Sequence, residues 1–286
     1  MKKKEVKSMA MRYREQIYDY GKYREVKMFP VFSRPKSSHR KPKHKPTRRV
    51  QERLNQVNAE RSLARLIAAN FTSNDVKLEL TYSQANYPES IEQAKRDIAN
   101  FFRRVKRARE RAGITEELKY IYAFGQGSTG NRIHFHVIMS GGLSIQQLAK
   151  IWGKGYVDKV APLMFDEQGV TGIARYFAQQ QSKIVDEYED KPMLVPDLKP
   201  RTKRWVSSHN CFKPEPKNYD YKLTKRDVSY YAQNSEDLRI FEKRYPEYFC
   251  SECKPFWNDE TGAYYLQVFL YRKDFKPDIY SSASFQ

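Results

Sequence analysis

Long hydrophobic runs are missing from this chain of 286 residues. No window approaches the ~18 consecutive apolar residues of a membrane-spanning helix, so a bilayer-embedded protein is not expected. Cysteine is scarce as well. Three residues, Cys211, Cys250 and Cys253, are too few for the disulfide framework of a small secreted domain, and they point to a reducing, cytoplasmic setting. The opening "MKKKEVKSMAMRYREQ" has a charged head but lacks the apolar segment of a secretory signal. Acidic residues are outnumbered, 34 against 53 Lys and Arg, which leaves a formal charge of +19. Histidine occurs five times, so each position carries weight.

The hydrophobic fraction, 40%, suffices for a globular core, and the length allows one large domain or two ordinary ones. The positive charge is concentrated: residues 1–50 hold 17 Lys and Arg against four acids. A basic arm of this kind neutralises phosphates and gives salt-sensitive binding to nucleic acid; the alternative is a solvated tail that only aids solubility. Residues 30–49, rich in Pro, Lys, Arg and Ser, cannot bury enough surface to fold alone and read as a flexible basic segment. A helix is expected over 51–69, with Leu54, Val57, Leu63, Leu66 and Ile67 as its apolar stripe and Arg53, Arg61 and Arg65 beside it.

Beyond it, "VKLELTYS" (76–83) alternates like a half-buried strand, and Pro88 opens a helix to about Ala112, stopped by Gly113. Its apolar side is Ile91, Ile98, Phe101, Phe102 and Val105, and its distal half, "RRVKRARERAG", is basic. "KYIYAF" and "RIHFHVIM" read as strands joined by a Gly-rich hairpin connection, followed by a short helix "SIQQLAKIW", a strand "GYVDKVAPL" and a helix over about 170–186. The order β-α-β-β-α-β-α predicts an α+β fold with a ferredoxin-like, split βαβ antiparallel sheet. The expected division is a basic N-terminal arm (1–50), a core with its leading helix (51–186), an acidic linker (187–200) and a C-terminal extension (201–286) that completes or flanks the sheet. "YYLQVFLYRK" (264–273) is the clearest late strand.

His134 and His136 alternate with Phe135, Val137 and Met139, so the imidazoles share one strand face and the apolar residues the other. Paired imidazoles suit a divalent ion, with Gln126 across the hairpin as candidate third ligand and substrate phosphate completing the shell of Mg²⁺ or Mn²⁺. The bland alternative is a half-wet strand with polar side chains outside. On the later helix, Tyr176, Gln180 and Lys183 fall near one face, which suits a tyrosine nucleophile with a cation nearby. On spacing alone, Tyr176 packing on the sheet with Lys183 in solvent explains them equally. "GQGSTGN" imitates a phosphate-binding loop but has Asn131 where the lysine belongs and a hairpin around it. His209, Cys211, Cys250 and Cys253 are too widely spaced to argue for structural zinc.

Taken in order, "LTY" (80–82), "RIHFHVIM", "IWGKGYVDKV", the Tyr176 helix and "KRWVSSHNCFKPEP" resemble the rolling-circle replication initiators of the HUH (His-hydrophobic-His) endonuclease superfamily, similar to Rep proteins of Firmicutes plasmids and filamentous-phage-type elements. The basic "NAERSLARLIAANF" helix adds to the resemblance, which covers about residues 50–218. It implies the HUH endonuclease fold, His134 and His136 as metal ligands with Gln126 near the family's usual Glu, and Tyr176 as the nucleophile that retains a 5′-phosphate. It implies single-stranded or hairpin origin DNA as substrate, with a host helicase and DNA polymerase as partners. Relatives with Y-x-x-x-Y-x-x-K have a second tyrosine where this chain has Gln180, while Lys183 is retained; a single-tyrosine enzyme is therefore expected. Candidate DNA contacts are Arg103, Arg104, Arg107, Arg132, Lys203 and Arg204, while Trp205 and the Ser207/Ser208 pair either touch DNA or complete the sheet. A transposase or relaxase of the same chemistry is the near alternative, and a non-catalytic nucleic-acid-binding protein the distant one.

Overall fold

The computed structural model describes residues 11–32, 49–126, 133–166, 169–177, 205–259 and 261–275. In chain order the elements are β1 (Met11–Asp19), β2 (Tyr23–Phe32), α1 (Arg49–Asn70), β3 (Val76–Thr81), α2 (Ile91–Arg111), β4 (Tyr120–Gln126), β5 (Ile133–Met139), α3 (Ile145–Trp152) and β6 (Val157–Pro162). A helix over 171–177, α4, follows. β7 (Val206–Ser207), β8 (Lys217–Tyr219), α5 (Lys225–Gln233), α6 (Arg239–Arg244), β9 (Tyr248–Asn258) and β10 (Ala263–Arg272) complete it. The chain divides into two compact units, one of 55–165 with 170–213, the other of the N-terminal residues to 54, the short 166–169 segment and 214 onward.

The first unit is built on an antiparallel sheet in the order β6-β3-β5-β4-β7. From β3 to α4 the elements follow the β-α-β-β-α-β-α sequence that the hydrophobic periods imply. α2 starts where the Ser90 hydroxyl accepts a hydrogen bond from the Gln93 backbone N–H, satisfying a donor that the first turn leaves open. It ends at Ala112, and Gly113 takes a positive φ of 74° just beyond. Ala94, Ile98, Phe101, Phe102 and Val105 then form its buried stripe. α3 carries a reciprocal capping box between Ser144 and Gln147 and stops at the left-handed Gly153. These two helices cover one sheet face, packing on Leu78, Leu80, Phe135, Val137 and Met139 with Trp152 at the centre. The Trp152 indole donates to the Thr81 carbonyl at 2.8 Å, so its one polar atom is satisfied in the core.

The opposite face is covered too. Leu63, Leu66, Ile67 and Phe71 around α1, with Ala174 and Phe177 of α4, pack on Ile121, Ala123 and Ile138. The histidine face is therefore a buried floor between helices rather than an open surface. Asn70 ties the end of α1 to the segment after β7, exchanging hydrogen bonds with the backbone of Phe212 in both directions at 2.7 Å.

The second unit is a separate antiparallel sheet, β8-β1-β2-β10-β9. Residues 11–32, which composition assigns to a basic arm, instead supply its central hairpin. Their inward positions, Tyr13, Ile17, Val26 and Met28, join Leu266, Val268 and Leu270 of β10 in a core closed by Val228, Ala232, Ile240 and Phe241 of α5 and α6. The alternation is present in "MRYREQIYD", but Arg12, Arg14 and Gln16 occupy the intervening positions and raise the charge that composition counts. Glu15 is buried in this core and compensated by the Arg244 guanidinium at 2.9 Å and the Tyr245 hydroxyl at 2.5 Å. The region after 201, irregular by sequence, holds the two helices and two long strands that finish this unit. The expected 187–200 linker and most of the 30–49 segment lie outside the described residues.

Candidate active site

β5 places His134 and His136 on the face covered by α1 and α4, and its neighbours decide what stands beside them. On β3, Glu79 is the register partner of His136 and Thr81 of His134. On β4 the partners are Ala123 and Gly125. The two Nε2 atoms lie 3.0 Å apart, Glu79 Oε1 is 3.8 Å from His134 Nε2, and Glu79 Oε2 is 3.7 Å from His136 Nδ1. All three side chains are nearly sequestered, with residue exposures of 9% for Glu79, 9% for His134 and 3% for His136. Buried ionisable groups need partners, and this trio converges on one point.

Gly125 makes the convergence possible. A Cβ at that position would stand 2.2 Å from His134 Nε2, so only a residue without a side chain leaves the imidazole its place. The donor set fits a cation: one ligand atom from each of Glu79, His134 and His136, all within 4.8 Å of one another. Among the described residues it is the only group of three metal-ligating side chains so arranged. Two imidazoles with one carboxylate suit a divalent transition ion such as Mn²⁺ better than Mg²⁺, which favours oxygen donors throughout. Cys211 belongs to one unit and Cys250 with Cys253 to the other, and all three are free thiols.

α4 brings Tyr176 to this trio. Ala174 and Phe177, one helical turn apart, are fully buried against the sheet and fix the rotation of the helix. Tyr176 sits at the shoulder of that buried face. Its ring meets the His136 imidazole edge-on, with centroids 4.9 Å apart, and it remains 39% exposed. Phe177 packs behind the same imidazole at 5.8 Å. A half-exposed phenol against a buried metal-ligand set is what attack on an incoming ester requires: a nucleophile that substrate can reach, fixed next to a site for positive charge.

The other sequence-derived candidates distribute unevenly. Gln126 aligns with Ile133, one register place beyond the Gly125–His134 pair, and its side chain lies outside what is described. Gln180, Lys183, Arg132, Lys203 and Arg204 also fall outside the described residues. Arg103, Arg104 and Arg107 are exposed along α2, on the sheet face opposite the histidines. Ser207 pairs with Ile121, and the Ser208 hydroxyl accepts the Tyr120 backbone N–H at 3.1 Å, so this pair extends the sheet. Glu79 is the residue that sequence reasoning passed over. Its signal was an acid between Leu78 and Leu80 in a buried strand, a costly placement unless something positive compensates it.

A family model for replication-associated proteins of the ORF2 type matches residues 75–183. The match runs from β3 past α4, contains Glu79, His134, His136 and Tyr176, and is consistent with a rolling-circle replication initiator. No curated protein and no solved structure matches the chain. No helix among the described residues is long and apolar enough to cross a membrane.

Proposed function

We propose that this protein is a metal-dependent, site-specific single-strand DNA endonuclease and strand transferase that initiates rolling-circle replication, with the HUH fold in its first unit and Tyr176 as its single nucleophile. The observation that carries the reading is the contact of Tyr176 with His136 of the Glu79–His134–His136 trio, inside the segment that matches a replication-associated family. Pure nucleic-acid binding has no use for a buried set of three converging ligands with a half-exposed tyrosine against it.

The reaction exchanges one phosphate ester for another. The Tyr176 oxygen bonds to phosphorus as the bond from phosphorus to the 3′ oxygen breaks; the phenolic proton passes to solvent, and the leaving 3′ oxygen takes one up. The 5′-phosphate stays on the tyrosine, and the free 3′-OH primes a polymerase. A divalent ion held by Glu79, His134 and His136 would supply the positive charge that polarises the phosphate. The chain's own residues do the rest. Ala174 and Phe177 anchor α4, the His136 ring gives Tyr176 a wall that limits its rotamers, and the exposed side of the phenol faces the entering strand. Arg103, Arg104 and Arg107, remote from the chemistry, offer charge for flanking phosphates.

The test is a nicking assay on single-stranded hairpin DNA from the cognate origin with Mn²⁺, run on a denaturing gel. Wild-type protein is expected to give a protein–DNA band that chelation prevents. His134→Ala combined with His136→Ala is expected to abolish it. Metal-independent nicking at full rate by the double variant would refute the assignment, and binding with a steep salt slope but no cleavage would favour a non-catalytic protein.

A further inference from the structure

On the sheet face that carries the histidines, the row of side chains does not stop at Glu79. Ala123 pairs with His136, His136 with Glu79, and Glu79 with Asp158 of β6. Directly opposed residues of an antiparallel pair project to the same side, with Cβ atoms about 4.5–5.5 Å apart. The neighbouring pair, Leu80 with Val157, packs into the core of the opposite face and so fixes the phase. A register shift between Lys77 and Glu79 sets this alignment. Irregularities of that kind re-aim side chains beside active sites. β6 is the edge strand, and Asp158 is exposed while the trio behind it is buried. The row therefore ends in a second carboxylate at the open side of the sheet.

We propose that Asp158 is an outer carboxylate of the metal site, accepting hydrogen bonds from the water ligands of an ion held by Glu79, His134 and His136. This rests on the reading of that trio as a metal centre. One carboxylate and two neutral imidazoles leave a dication with charge to spare; a second carboxylate one strand further out offsets it through water and favours a hydrated ion. Groups in this position change metal affinity by about 10–100-fold. Solvent exposure of Asp158 places its effect at the lower end, about tenfold. A carboxylate present only to discourage edge pairing of β6 would leave metal affinity untouched.

The experiment is titration of the full chain with Mn²⁺, following the electron paramagnetic resonance signal of the free ion, beside a thermal melt of each variant. Wild type is expected to bind one ion and the His134→Ala, His136→Ala double variant none. Asp158→Asn is expected to bind about tenfold more weakly at an unchanged melting temperature, with Asp158→Glu recovering part of the loss. Glu110→Gln, which removes an exposed carboxylate from α2, is expected to bind like wild type. Wild-type affinity in Asp158→Asn overturns the role of Asp158 and leaves the metal centre standing. The same holds if Glu110→Gln weakens binding equally, since the effect is then one of overall charge. Absence of a bound ion in wild type, or equal binding by the double histidine variant, overturns the metal centre and the proposal with it.

Discussion

Gly125→Ala puts the site geometry to a sharp test, because it adds one methyl group and no charge. The new carbon would stand 2.2 Å from His134 Nε2 and 2.7 Å from both Cδ2 and Cε1, against ordinary contacts of 3.4 Å or more. The imidazole must therefore retreat by about 1.2 Å, whereas a metal ligand tolerates about 0.2 Å. His134 would be lost as a ligand, and Mn²⁺ affinity should fall at least as far as the 10–100-fold that follows loss of a supporting group. Stability should suffer far less. Overpacking costs about 1–3 kcal/mol, and replacing glycine within a strand returns about 0.5–1 kcal/mol. The expected signature is a small drop in melting temperature with near-complete loss of Mn²⁺ binding, read by calorimetric titration and a thermal melt. Unchanged metal affinity in a folded variant would refute the placement of His134 over Gly125.

Other expectations concern the two units separately. Asp227 in the α5 cap is held below the usual carboxylate range by the Thr224 backbone N–H and then the Thr224 hydroxyl, and Asp220 by hydrogen bonds from the Arg14 guanidinium. Because both folded values are depressed, their stabilisation is present above the unfolded Asp value and is lost as pH falls through the folded one. Thr224→Ala should cost about 1 kcal/mol at neutral pH and flatten the acid limb of a melting-temperature profile, and an unaltered limb would count against the cap. Burial pushes the Cys250 and Cys253 thiols up to about 12, so iodoacetamide at pH 8 should alkylate them far more slowly in native than in denatured protein, read by mass spectrometry. Replacing Arg103, Arg104 and Arg107 together by Ala should weaken single-strand binding and lower the salt slope by about 0.7 for each phosphate no longer neutralised. An identical slope would remove α2 from the DNA interface.

How far the sequence reveals this protein differs between its two units. In the first, apolar periods dominate: "IHFHVIM" and the Phe101–Val105 stripe announce their faces, and β3 to α4 follow from them. In the second, charged residues fill every other position of β1 and β2, so composition suggests an arm where hydrogen bonding to β10 makes the centre of a sheet. The histidines were legible because two imidazoles in an apolar strand are unusual. Glu79 was not, because its meaning comes from a register partner 57 positions away, and strand pairing of that range leaves no local pattern. Gly125 was hidden for the same reason. The glycine reads as part of a hairpin connection until His134 is seen to lie over it.

The proposed chemistry turns on Tyr176, among 21 tyrosines, forming the bond to DNA. Mass spectrometry of the nuclease-trimmed, trypsin-digested adduct reads that bond itself. Cleavage after Arg175 and Lys183 gives the peptide YFAQQQSK, in which Tyr176 is the one tyrosine. The expected result is a 5′-phosphorylated nucleotide remnant on that peptide in wild type and none anywhere in Tyr176→Phe. A remnant on any other tyrosine, or an adduct undiminished in Tyr176→Phe, would contradict it.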